Sequence, residues 1–185
     1  MPLIRQSPPA ILPLTPAALA EHLRLPHAAP ETEQTVELIT LIRAATTAIE
    51  RRLDAALIAQ DWLWRTGDLT APLPLAPLVS VQSVVIVASD DTRTPWTGWR
   101  IAHGHPRPCI VGRPIPALPP DGHFEVDFTV GYGSTAEAIP DDLRHAVTLL
   151  AAHFYENREA TTDTRTPLPF GVGSLLAPHR PIRLS

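Results

Sequence analysis

The sequence predicts an α+β fold: a small helical bundle with a β-rich insertion between its second and last long helices, plus extended N- and C-terminal arms. Three observations carry this. Apolar residues recur at helical spacing over about 32–54 and again over about 140–157. Between those segments the period falls to two, most cleanly over 123–130. The chain also holds 22 prolines in 185 residues, many of them within 2–30, 72–77 and 106–120, with a looser group at 167–181. Proline fixes φ and removes a backbone donor, so these stretches read as arms and loops.

Residues 1–14 form a Pro-rich N-terminal arm. Thr15-Pro16 is a helix start, with Thr as N-cap and Pro at the first helical position, so a short helix is expected at about 15–25. It places Leu19 and Leu23 on one face before Pro26 ends it. The second helix, about 32–54, lines up Val36, Ile39, Ile42, Ile49 and Leu53, with Ala45 and Thr46 filling the stripe. Glu37, Arg43, Glu50 and Arg51 occupy its other faces.

The insertion, about 58–131, opens with Ile58, Gln60, Trp62 and Trp64 on one strand face and Leu63 on the other. A proline-punctuated link then leads to Val81–Val87, a β-branched run suited to a strand covered on both faces. Ser89 to Thr92 is turn chemistry, and Trp99-Arg100-Ile101 and Cys109-Ile110-Val111 are short strand candidates. In 123–130, Phe124, Val126, Phe128 and Val130 face one way. Glu125, Asp127 and Thr129 face the other, as a half-exposed antiparallel strand requires.

Gly131-Tyr132-Gly133 ends that strand, and Pro140 opens the last helix, about 140–157. Leu143, Val147, Leu150 and Phe154 make its stripe, with Ala146 and Ala151 permitting close approach. Asp141 and Asp142 near its start and Arg158 near its end suit the helix dipole. Residues 15–158 thus form the folded domain, and 159–185 an extended tail. Phe170–Leu176 is an apolar island in that tail. It reads either as a peptide that docks by strand addition or groove insertion, or as a segment packing back on its own domain.

Composition narrows the function. Residues 31–157 hold sixteen acidic residues against nine arginines, a net of −7, which repels a phosphate backbone. One cysteine, Cys109, excludes an intrachain disulfide and a multi-cysteine zinc site. The N-terminal apolar residues are interrupted by Pro8, Pro9, Pro13 and Pro16, unlike a signal peptide, and no apolar run approaches the ~20 residues of a membrane span. A soluble product made in the cytosol is expected.

Catalytic patterns are missing from the sequence. His103-Gly104-His105, with His123 or Asp121, is the one metal candidate, but it lies in Gly/Pro-rich sequence without cysteine partners. There is no Gly-x-Ser-x-Gly elbow, and Gly171-Val172-Gly173-Ser174 lacks the third glycine of a dinucleotide fingerprint. The expectation is no enzyme, no cofactor and no metal. Features useful for assembly remain. Trp62, Trp64, Trp96 and Trp99 concentrate in the insertion, and tryptophan is enriched at interfaces as well as in cores.

Several landmarks keep a common order and spacing. They are His22-Leu23-Arg24, Ile49-Glu50-Arg51-Arg52-Leu53 and Ala56-Leu57-Ile58-Ala59-Gln60-Asp61-Trp62. Leu78-Val79-Ser80-Val81, Phe128-Thr129-Val130-Gly131-Tyr132-Gly133, Ile139-Pro140 and Tyr155-Glu156-Asn157-Arg158-Glu159 follow. Pro169-Phe170-Gly171-Val172 and Leu175-Leu176-Ala177-Pro178-His179-Arg180 close the series. Together they resemble the head-tail connector (adaptor) proteins of long-tailed bacteriophages and phage-like gene transfer agents, over about 15–180.

The resemblance implies a non-enzymatic virion structural protein without a cofactor, assembled in the host cytoplasm and placed at the head-tail interface of the particle. It implies a ring, usually dodecameric, bound beneath the portal protein. That ring continues the DNA channel and offers a platform to the next connector or tail component, a stopper or terminator. DNA only passes through, and no membrane is involved. A C-terminal segment, here about 160–185, reaches the portal. On this reading the contacts to portal or neighbours fall to Trp96, Trp99, Arg158, Phe170, Leu175, Leu176, Arg180 and Arg183. The alternatives are another virion structural protein, such as a stopper or tail terminator, and a small metal-dependent hydrolase using His103, His105 and His123.

Overall fold

The computed structural model of the chain describes residues 2–25, 33–102, 107–157 and 170–180, with Phe170 given by its backbone alone. The chain divides into two compact units. One comprises Met1–Ala10 with Asp54–Tyr132, the other Ile11–Leu53 with Gly133–Ser185.

The first unit is built from strands. These are β1 (Leu3–Arg5), β2 (Gln60–Thr66), β3 (Leu78–Val87), β4 (Arg93–Pro95), β5 (Trp99–Ala102), β6 (Cys109–Gly112) and β7 (His123–Val130). Five of them form one sheet in the order β1-β2-β7-β3-β4, antiparallel at every pairing. β5 and β6 pair separately, Ile101 opposite Ile110. The expected alternation sets the core: Phe124, Val126, Phe128 and Val130 of β7 are buried beside Trp64 of β2 and Val84 of β3. Each such side chain contributes about 1.5–3 kcal/mol by leaving water.

The proline-punctuated link contributes to that core as well. Leu69 and Leu73 are buried in it, and the Leu73 N–H donates to the Pro108 carbonyl at 3.0 Å. β3 begins at Leu78, earlier than its β-branched run suggests. Two register shifts against β7, between Leu78 and Ser80 and between Val81 and Ser83, carry it through Val79 and Gln82. Residues 3–5 of the Pro-rich N-terminal stretch are a strand, β1, on the edge of the sheet.

The second unit is helical: α1 (Pro16–His22), α2 (Glu33–Leu53), α3 (Asp141–Glu156) and α4 (Phe170–Leu176). Thr15 caps α1, its hydroxyl accepting from the Ala18 N–H at 3.2 Å. α2 buries Leu38, Ile42, Ala45, Thr46, Ile49 and Leu53, spaced as one helical face. Val36, expected in that stripe, is instead 61% exposed, because it precedes the first buried turn at Leu38. α3 buries Leu143, Ala146, Val147, Leu150 and Ala151 and packs along α2. The alanines let the two backbones come close.

Residues 170–179 correct the expectation of an extended C-terminal arm. Phe170–Leu176 is helical, and a 3₁₀ turn, Ala177–His179, follows it. The physical reason is burial: Val172 and Leu176, four residues apart, are both fully buried, and α4 packs on α3. Tertiary contact overrides the low helix propensity of Gly171 and Gly173.

Candidate assembly surfaces

The outward face of the five-stranded sheet centres on Glu125 of β7. The sequence places this residue on a solvated face, yet it is 1% exposed. Arg65 from β2 covers it, donating from Nε to Oε1 at 2.8 Å, while Arg93 from β4 donates to Oε2. His123 Nε2 lies 3.6 Å from the same carboxylate. Burial pushes the Glu125 carboxyl up, but the Arg65 hydrogen bond and the charge and hydrogen bond of Arg93 outweigh it. The group is held below the ordinary glutamate value.

Along the same strand, Asp127 accepts from Gln6 Nε2 at 2.8 Å and from Ser83 Oγ at 2.7 Å. Thr129 donates to Asp61 at 2.6 Å and accepts from Gln82. These bonds stitch β2, β7 and β3 together, with Gln6 added just beyond β1, and their acceptors are occupied by protein donors. The arrangement holds a sheet in register.

Trp96 and Trp99 are half-buried and pack in part against the sheet core. The Trp96 N–H donates to the Val84 carbonyl at 2.9 Å, extending the β3–β4 ladder. Its ring lies over Gly112, where a Cβ would come within 2.5 Å of the indole and 2.4 Å of the Gly98 carbonyl. Trp99 pairs opposite Gly112 and, with Arg100, Arg113 and Ile115, lines an open groove of about 590 Å³. Trp96 therefore has a folding role beside any interface role. Trp96→Ala is expected to lower the melting temperature of the isolated chain by several degrees, checked by circular dichroism.

In the tail, Leu176 points inward, Leu175 is half-buried and Arg180 is exposed. His179 Nε2 lies 2.7 Å from Asp142 Oδ2, fastening the end of the tail to the first turn of α3. The Asp142 carboxyl is held below its usual range, first by this bond and also by the Leu143 N–H. Of the residues singled out from the sequence, Arg158 and Arg183 lie outside the described residues, as do His103 and His105 of the metal candidate. Among the described residues no group of three His, Cys, Asp or Glu side chains is placed to hold a metal ion. Nor is any described helix long and apolar enough to cross a membrane.

The sheet face escaped the sequence reading for a specific reason. Alternation marks which side a residue takes, and it says nothing about arginines arriving from neighbouring strands. The docked tail had a fainter signal in the four-residue spacing of Val172 and Leu176.

Neither a protein-family model nor a curated protein sequence matches the chain. Solved structures do. The neck of an empty gene transfer agent particle, computed with C6 symmetry, contains a protein similar at TM-score 0.86 and 32% identity, covering 100% of this chain and 98% of that one. The virion of a native gene transfer agent particle gives TM-score 0.81 and 36% identity, with 100% and 98% covered. The neck of a native particle computed with C12 symmetry gives 0.82 and 32%, again with 100% and 98% covered. Likeness at this identity over the whole length of both chains, on the α+β fold described above, settles the family: the chain belongs to the head-tail connector (adaptor) proteins of long-tailed bacteriophages and phage-like gene transfer agents.

Proposed function

We propose that this chain is the adaptor of a phage-like particle: a structural protein at the head-tail interface that closes into a ring under the portal and continues the DNA channel towards the tail. The observation that carries the reading is the full-length match to gene transfer agent necks. Two of those necks were computed with C6 and C12 symmetry, which supports a ring of identical copies. Twelve copies satisfy both symmetries.

The charge distribution fits such a part. A body with a net of −7 over residues 31–157 repels DNA phosphates, so a duplex passes without sticking. The carboxylates of the sheet face are bonded to protein donors that hold strands together, and the reading involves no catalysis and no cofactor. The tail-side partner is the next connector or tail component.

The portal contact is assigned to the tail, with Arg180 and Arg183 as cations for an acidic portal surface and Leu175 as apolar contact. Deleting 160–185 would also strip Val172 and Leu176 from α3, so charge reversal is the cleaner test. Arg180→Glu with Arg183→Glu is expected to weaken co-purification with the portal about tenfold or more, while the chain stays folded. Undiminished retention would remove the tail from the interface. Negative-stain microscopy of the chain mixed with its portal tests the function itself: a ring stacked coaxially on the portal is expected, and free monomers beside bare portals would overturn it.

A further inference from the structure

The five-stranded sheet has two unlike open edges. At one end β1 pairs with β2 alone among the described residues. The Gln6 N–H and the Pro2 carbonyl bond to β2, so the even-numbered residues face it, while the N–H and C=O groups of Leu3 and Arg5 point away. At the other end β4, with the Trp96 N–H bonded to the Val84 carbonyl, covers only Val84–Val87 of the ten-residue β3 among the described residues. The Leu78–Ser83 half of β3 has no strand on its outer side among the described residues. Ile4, 40% exposed, and Val79, 57% exposed, are the large apolar side chains that the sheet leaves most in water, and they sit on these two edges.

Unpaired strand edges are templates for another strand. Closing a ring needs two different, complementary patches on each copy. Direction fits too. β1 opposes β2, β2 opposes β7 and β7 opposes β3, so β1 runs antiparallel to β3. A neighbour carried round an axis along the strands keeps that sense. Its β1 then arrives antiparallel to β3, as β4 already lies, and takes the half of the edge that β4 leaves vacant.

We propose that neighbouring copies join by strand addition, β1 of one copy pairing with the Leu78–Ser83 edge of β3 in the next, so that the sheets form a continuous belt around the ring. The proposal rests on the ring reading above. It assigns the N-terminal residues an assembly role that the Pro-rich sequence conceals.

The test uses the full chain, alone and with its portal. Because the Arg5 N–H points away from β2, Arg5→Pro leaves the intrachain pairing intact. It should keep the circular dichroism spectrum of the wild type and lower the yield of rings about tenfold or more. Arg5→Ala, which removes the charge and keeps the N–H, should form rings normally. In a second experiment, Ile4→Cys and Val79→Cys in one chain should give a ladder of disulfide-linked oligomers under mild oxidation. The native Cys109 is buried and does not interfere. Normal rings from Arg5→Pro, or rings without a ladder, would overturn the edge pairing and leave the ring reading standing. Absence of rings from the wild type under both conditions would overturn the ring reading, and the edge pairing with it.

Discussion

Replacing Arg65 and Arg93 together by methionine is expected to destabilise the sheet unit by about 3–5 kcal/mol, because Glu125 would remain buried without its counter-charges. The reverse change, Glu125→Gln, should cost less. The two arginines are 43% and 57% exposed in their side chains and can return to water, whereas the carboxylate at 1% cannot. This asymmetry separates a desolvation penalty from a simple count of ion pairs. Urea unfolding of both variants measures it, and equal costs would refute it. The pH dependence has a definite sign. A glutamate held below its ordinary value of 4.5 stabilises the fold fully above that pH and loses its contribution as the pH falls through the lower folded value. Acid unfolding of Glu125→Gln should therefore be shallower than that of the wild type below about pH 4.5.

Gly131→Ala is expected to cost about 2–5 kcal/mol, from backbone strain and overpacking together. Its φ of +140° is a conformation that residues with a Cβ rarely adopt. A Cβ there would lie 2.5 Å from the Ala59 nitrogen and 2.6 Å from the carbonyl carbon of Ile58, both backbone atoms with little freedom to give way. The turn also carries two ties. The Gly131 N–H donates to the Pro77 carbonyl at 2.9 Å, and the Tyr132 N–H to the Leu57 carbonyl at 3.2 Å. Gly133→Ala is a useful contrast, since its Cβ would meet only the side-chain methyl of Ala138, at 2.6 Å. Thermal melts of the two variants should differ, with the Gly131 change the more damaging. Equal melting temperatures would show that the turn relaxes freely.

Much of this architecture was legible in the residues. Helical spacing located α2 and α3 because each packs one face, and strict alternation located β7 because it is central and two-faced. What stayed hidden depends on partners distant in sequence. Leu3–Arg5 becomes a strand by meeting β2 sixty residues on, and nothing in a proline-studded arm announces that. Glu125 looks solvated until Arg65 and Arg93 close over it. The buried face of α2 begins at Leu38 and not at Val36, since periodicity gives the direction of a stripe and not the length that is covered. The assembly surfaces were less legible still. Trp96 and Trp99 attract notice by composition, but their packing over Gly112 and against the core depends on the β5–β6 pairing.

The short α4 carries a further consequence. Seven residues that include Gly171 and Gly173 cannot sustain a helix in water, since each glycine costs about 1 kcal/mol relative to alanine and nucleation is unfavourable. Helix and dock therefore exist together or not at all. Amide protons across 174–176, whose i−4 acceptors lie within the helix, then become a reporter: their exchange with heavy water is slow while Val172 and Leu176 are seated and fast once they leave. Any ligand that recruits this stretch away from α3 would betray itself by deuterium uptake there, without a label or a mutation.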